Sequence, residues 1–337
     1  MSITTPTPTD VGPAPRRRLT VDSMRRGLSV QYIGLVAGLI ALAVLMSFLS
    51  PYFLRPQNLI NIGAAVSFTG IVAAITTAVL ISGGLDLSIA AVMALSSTVV
   101  AVVTTAGQPW WVAVLAALIT GAAIGALNGY VISYVGVNPF VVTVATQFLS
   151  RGIGFLITAG VAMPINDQVI RMIGQGRLAG IPISLIIMVV VFAVVGVVLR
   201  KTVLGRHWYA IGGTPDGRMA RLAGVPVARR RFQLYVLSGA VSALAGVCLA
   251  GNTTVGDAYA ATGLELSILA AVILGGTALN GGRGAIIGTV IGVLLIGVIN
   301  NGIQLLNLGV SAQYLFLGAV LLVAVVFDQV RTKRELR

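Results

Sequence analysis

The chain has 337 residues, 57% hydrophobic and only 9% charged, with a formal net charge of +13 and a mean hydropathy of +0.99. Soluble domains carry about 25% charged residues, so this much apolar surface requires lipid as its solvent, and the long unbroken apolar runs require helices rather than the alternating strands of a barrel. The positive charge does not point to nucleic acid, because the basic residues gather in clusters that border apolar spans, as cytoplasmic segments of membrane proteins do.

Residues 1–28 are rich in Pro and Thr and then basic (Arg16, Arg17, Arg18, Arg25, Arg26). They lack the apolar stretch of a signal peptide and read as a disordered cytoplasmic arm. A transmembrane domain over 29–330 and a cytoplasmic tail over 331–337 follow. About 20 apolar residues cross a bilayer as a helix. Ten such spans are predicted, at roughly 30–49, 60–82, 87–105, 110–132, 139–159, 182–200, 231–251, 263–280, 284–304 and 308–328. Gly pairs and acidic residues stand at the ends of the third and the eighth. Cys248, the single cysteine, lies in an apolar span and reads as a small core filler rather than half of a disulfide.

With the N-terminus inside, an even span count returns the C-terminus inside. The arm, the loop over 200–231, Arg283 and the tail (Arg331, Lys333, Arg334, Arg337) then hold 18 basic residues on the inner side, against Arg55, Arg171 and Arg177 outside. That asymmetry supports a multi-pass membrane protein with both termini cytoplasmic.

Two passages recur in order. Gly84-Leu85-Asp86-Leu87-Ser88-Ile89 returns as Gly263-Leu264-Glu265-Leu266-Ser267-Ile268, and Asn128-Gly129 followed by Gly136-Val137 returns as Asn301-Gly302 followed by Gly309-Val310. The first pair opens spans three and eight. An odd number of crossings separates them, so the copies run in opposite directions: an all-α membrane protein built as two inverted repeats. Gly121, Gly125 and Gly129 share one helix face, as do Gly284, Gly288 and Gly292. Such faces let helix backbones approach closely in lipid.

The loop over 200–231 holds Thr214-Pro215-Asp216-Gly217-Arg218-Met219-Ala220-Arg221-Leu222-Ala223-Gly224. Thr214 suits an N-cap, Pro215 the first helical position, and Asp216 the positive end of the dipole. Arg221 suits the last turn and Gly224 the residue beyond it. A capped helix of about two to three turns is predicted, lying outside the membrane. It suits protein docking, although a loop that merely fixes topology would carry similar charge. His207, the sole histidine, reads as part of the loop surface.

Asp86 and Glu265 read either as caps at helix starts or as groups beside a pathway. Arg151 reads either as a pathway residue or as a side chain that snorkels to a span end. Further polar candidates for a translocation route are Asn128, Asn138, Thr143, Gln147, Asn300 and Asn301. No phosphate-cradling G-x-x-x-x-G-K-[ST] occurs: Lys201 and Lys333 are the only lysines and neither follows Gly. No bound cofactor, metal cluster or enzymatic constellation is expected of this chain.

The run from Leu204-Gly205-Arg206-His207-Trp208-Tyr209 through Gly212-Gly213-Thr214-Pro215 to Ala223-Gly224-Val225 resembles the cytoplasmic coupling segment of ribose/xylose-type ABC importer permeases. Gly83-Gly84-Leu85-Asp86-Leu87-Ser88, Pro139-Phe140-Val141-Val142-Thr143, Arg151-Gly152, and Ile273-Leu274-Gly275-Gly276-Thr277 through Asn280-Gly281-Gly282-Arg283-Gly284 fit the same family in order. The chain departs from it at Ser267 and Ala90, where the family often carries an acidic residue and a glycine. The resemblance implies a type II importer permease of about ten helices working as a dimer with a second permease subunit, homo- or heterodimeric. It also implies a separate cytoplasmic ATPase and a periplasmic or lipid-anchored sugar-binding protein. Thr214, Pro215, Asp216, Arg218, Met219, Arg221, Leu222 and Gly224 would couple to the ATPase, and the solute would be a small neutral sugar or polyol. The competing expectation is an ion-coupled secondary transporter, which also uses inverted repeats.

Overall fold

The computed structural model describes residues 21–335, which are helical apart from short connections and four two-residue strands. The long helices are α1 (Val21–Leu49), α2 (Pro56–Ile81), α3 (Ile89–Thr105), α4 (Trp110–Tyr130, continued by a π turn at Val131–Val135) and α5 (Pro139–Thr158). The short α6 (Gln168–Gln175) precedes α7 (Ile183–Lys201), α8 (Val203–Gly212) and the five-residue α9 (Arg218–Leu222). Then come α10 (Val227–Thr253), α11 (Leu264–Leu274), α12 (Ile286–Leu305) and α13 (Gly309–Glu335). Among the described residues, seven helices are long and apolar enough to cross a membrane. The segments Ile89–Thr105, Leu264–Leu274 and Ser311–Leu322 are shorter apolar helices. Together they occupy the ten expected spans.

Three boundaries differ from expectation. The arm expected over 1–28 lies outside the described residues up to position 20. From Val21 it is already helix, since no proline between Pro15 and Pro51 stops α1 from extending beyond its apolar stretch. At the other end α13 carries the expected tail on through Glu335. The eighth span is cut short: α11 stops at Leu274, where Gly275-Gly276 follows and Gly276 takes a φ of +90°. The chain from there to Ala285 is irregular.

The recurring sequence has a counterpart in the packing. Helices α3, α4 and α5 form one trio and α11, α12 and α13 the other, with the first helix of each packed on the other two. The helix preceding each trio packs on the opposite one: α2 against α11 and α12, α10 against α3 and α4. Gly136 and Gly309, at corresponding places, both adopt positive φ, +86° and +74°. The two halves are therefore exchanged into each other, as a repeat with a pseudo-twofold axis requires.

Lipid gives no hydrophobic drive between helices, so close packing must hold them. The ladder Gly121, Gly125, Gly129 does this against α10. A Cβ on Gly125 would lie 3.0 Å from the Tyr235 carbonyl carbon and the Val236 Cα, and one on Gly129 2.9 Å from the Phe232 carbonyl oxygen. Gly292 and Gly288 do the same against Ala271 of α11 and Gly275 just past its end. Buried Cys248 belongs to the main hydrophobic core.

Helix α10 has 27 residues, a length of about 40 Å, and so spans the molecule. At its start it meets α8, Ile211 and Ala220. Just past its end, strand β4 (Val255–Gly256) pairs antiparallel with β1 (Met163–Pro164). Arg177 donates to Gln57 near that far end (3.4 Å), while Arg283 stands in the turn beside α8. Arg177 and Arg283, which the topology arithmetic assigns to opposite sides, thus lie at opposite ends of α10.

Replacing Gly125 with Val should lower stability by about 3 kcal/mol, read as a marked fall in thermal unfolding temperature in detergent. Gly152→Ala, whose Cβ would meet nothing within 4 Å, should leave that temperature unchanged or raise it.

Candidate functional site

The loop between α7 and α10 folds into a compact element. The Thr202 hydroxyl accepts from the Gly205 amide (3.3 Å) and caps α8, which buries Trp208 and Ile211. The expected two-to-three-turn helix from Pro215 does not form. Pro215–Gly217 makes a single 3-10 turn, Asp216 and Gly217 both take positive φ (+58° and +65°), and α9 begins only at Arg218. Asp-Gly is a turn pair whose residues tolerate the left-handed region, and here that preference outweighs the helical one. Thr214 still caps, from farther back: its hydroxyl accepts from the Met219 amide (3.3 Å).

The other end is as the sequence indicates. Gly224 has φ +80°, its amide donates to the Arg221 carbonyl, and the Val225 amide donates to the Ala220 carbonyl (both 3.0 Å). This is a Schellman closure. Ala220 packs inward with Ile211 and Val227. Met219 and Leu222, three apart on the other face, are 61% and 77% exposed. Arg218 and Arg221 flank them, also exposed.

Beneath this element three chain turns meet with no side chains between them. The Gly282 amide donates to the carbonyl of Ile81, the last residue of α2 (2.8 Å). A Cβ on Gly281 would lie 2.8 Å from the Gly83 Cα and 3.0 Å from the Gly212 Cα. The end of α2, the end of α8 and the turn beyond α11 are thus in backbone contact. The Tyr209 hydroxyl adds a bond to the Gly284 carbonyl (2.9 Å). A cavity beside the seam is lined by Ser82, Thr214, Asp216, Arg231, Tyr235 and Asn280.

The seam leads into a buried hydrogen-bond network. Tyr235 of α10 donates to the Leu85 carbonyl (3.1 Å). The Asp86 carboxylate, 1% exposed, accepts from the Ser88 amide (3.0 Å), the Ser88 hydroxyl (2.6 Å) and the Ser238 hydroxyl (2.7 Å). Asn128 of α4 donates to the Ser88 hydroxyl (2.9 Å) and accepts from Thr146 of α5 (2.7 Å). The cap reading of Asp86 holds in modified form: it satisfies one backbone donor ahead of α3, and it also fastens α3 to α4, α5 and α10.

The remaining pathway candidates are not brought to one place. Gln147 donates to Glu265 (3.1 Å), and Arg151 donates to the carbonyls of Ala258 (2.8 Å) and Ala260 (3.4 Å). Asn301 exchanges two hydrogen bonds with Asn58 (3.0 and 2.8 Å) and, with Asn300, lines a groove between α2 and α12. Asn138 is exposed and caps α5 through the Phe140 amide (2.8 Å). Thr143 is buried and bonded to the Pro139 carbonyl of its own helix (2.8 Å). His207 accepts from Arg230 (3.1 Å) within the loop element. Sequence reading missed Ser88, Ser238, Thr146 and Asn58 as partners and Gly212 as a contact point. Of these, Ser88 carried a signal through its place in the repeated motif, and Gly212 through its place in the coupling-segment run.

The chain matches the family model described as branched-chain amino acid transport system / permease component, over residues 58–325. It is 39% identical over 304 residues to the ribose import permease protein RbsC of Bacillus subtilis (strain 168), covering 89% of this chain and 93% of that one. It is 37% identical over 302 residues to the L-arabinose transport system permease protein AraH of Escherichia coli (strain K12), covering 90% and 92%. To RbsC of Escherichia coli (strain K12) it is 37% identical over 296 residues, covering 86% and 91%. No solved structure matches the chain. The ion-coupled alternative finds no support among these relatives.

Removing the Asp86 carboxylate leaves two hydroxyls and an amide without their acceptor. Asp86→Ala should therefore cost about 3 kcal/mol or more, with Asp86→Asn, which keeps an acceptor, losing less. Thermal unfolding of the purified variants in detergent measures both.

Proposed function

Since the chain belongs to the family of branched-chain amino acid transport system permease components, we propose that it is the membrane subunit of an ATP-driven importer for a small neutral sugar or polyol. The relatives named for ribose and arabinose support that solute class. So does the scarcity of fixed charge among the membrane-spanning helices, which suits an uncharged polar solute.

The observation that carries the proposal is the geometry of α9. An exposed apolar pair, Met219 and Leu222, stands on a helix closed at both ends, and that helix packs through Ala220 on Ile211 at the end of α8, whose Gly212 is in backbone contact with the turns after α2 and α11. An element that only fixed topology would need charge but neither caps nor a rigid seat. We assign α9 to docking of a cytoplasmic ATPase, which makes the end bearing the 200–231 loop the cytoplasmic one and both termini cytoplasmic. Closure of the ATPase pair would push α9 and the turn at Asp216. With glycine backbones in contact at Gly83, Gly212 and Gly281, the push has no flexible side chain to spend itself on. It reaches α2, α8 and the turn after α11 together, and alternating access follows from their tilt. A second permease subunit and a sugar-binding protein at the far face complete the assembly.

Replacing Met219 and Leu222 with Asp should abolish co-purification of the ATPase while the protein still inserts in the membrane. Unchanged co-purification would remove α9 from this role. In a Cys248→Ser background, Met219→Cys should react with a membrane-impermeant maleimide only after the inner face is opened.

A further inference from the structure

On α5, Gln147 and Arg151 stand one turn apart and grip the segment that leads into α11. Gln147 holds one oxygen of Glu265, and one Arg151 nitrogen, Nη1, holds the carbonyls of Ala258 and Ala260. The rings of Phe155 and Tyr259 pack beside them, 4.6 Å apart. Both charged heads are left half used. Arg151 Nη2 and Glu265 Oε2 are buried, and neither has a hydrogen-bond partner among the described residues. Leaving a charged donor and a charged acceptor unmatched away from water is costly.

These two atoms, a guanidinium nitrogen and a carboxylate oxygen, set the chemistry of a ligand that would match both. It must accept from a guanidinium and donate to a carboxylate. A cation would suit Glu265 and be repelled by Arg151, and an anion the reverse. A hydroxyl does both, and neighbouring hydroxyls on one ring do so at two adjacent points. We propose that Gln147, Arg151 and Glu265 form a hydroxyl-binding subsite for the transported solute. In the present conformation it is closed, and the Gln147–Glu265 hydrogen bond occupies the place that a solute hydroxyl takes when α5 moves. This rests on the solute class proposed above.

The test uses the full complex with its ATPase and binding protein in proteoliposomes. Uptake of D-ribose is compared with that of its 2-deoxy and 3-deoxy analogues. A site built to bond a hydroxyl discriminates against the solute that lacks it. In Glu265→Gln and Arg151→Gln, the wild-type preference for ribose over at least one deoxy analogue should contract by about tenfold or more, with Arg151→Lys retaining part of it. Gln147→Ala, which adds no buried charge imbalance, is the second variant should the charge variants fail to assemble, and it should contract the same preference. A uniform loss across all three sugars, with the ratios unchanged, means that the cluster holds α5 to α11 structurally or through water, and it overturns the proposal. So does a wild type that does not distinguish the deoxy sugars. A wild type that carries none of a panel of pentoses, hexoses and polyols overturns the solute reading itself, and the subsite with it; one that carries another member of the panel is tested with that sugar's deoxy analogues.

Discussion

The hydrogen bond from the Gly282 amide to the Ile81 carbonyl, and the backbone contact of Gly83, Gly212 and Gly281 around it, is the joint on which the molecule's proposed work depends. Protein interiors transmit displacement because they are close-packed. A contact between backbones is the stiffest form of this, since no rotamer can absorb it. Any Cβ at Gly212 would collide with the Ile81 carbonyl oxygen, so the joint exists only with glycine there. A docking face on α9 without this seat could bind a partner and move nothing.

The repeat explains why one joint reaches both halves. Each trio is braced by the helix that leads into the other, α2 on α11 and α12, α10 on α3 and α4. A displacement at the end of α2 therefore acts on the second trio, while the Tyr235–Leu85 bond ties the start of the first trio to α10. The repeated acidic residues have nevertheless diverged. Before α3 the chain stays outside the helix through Leu87, with Ser88 as the N-cap, so Asp86 folds back into the interior. Before α11 the left-handed Gly263 starts the helix at once, so Glu265 falls in its first turn and points to α5. The same motif yields a sealed network in one half and an incomplete one in the other.

That contrast also marks what the sequence makes legible. Apolar length located the spans, and the glycine ladders and Gly224 announced close packing and a helix end, because these follow from local chemistry. The early stop of α11 was half visible in Gly275-Gly276. The turn at Asp216 differs from the expected helix because a good capping pattern and a good turn pair overlap there, and the left-handed preference of Asp-Gly prevails. The partners of Asp86 were not legible. Ser238 lies 152 positions away on a helix with thirteen buried side chains or glycines, and nothing in an isolated serine distinguishes it from Ser242, which is equally buried and makes no such bond.

The two polar clusters converge on neighbouring residues of α5. From Asp86 the chain of hydrogen bonds passes through Ser88 and Asn128 to Thr146, and the next residue, Gln147, bonds Glu265. A helix held this way on one side by a fully satisfied network and on the other by a pair with open valences has unequal attachments. The satisfied side is costly to break, because each released group would be buried without a partner. The incomplete side loses less, since two of its groups already lack partners and a hydroxyl can replace the Gln147 bond. Under the proposed subsite, displacement of α5 would part it from α11 while it stays fastened to α3 and α4. That is the direction in which a route between the two trios would open.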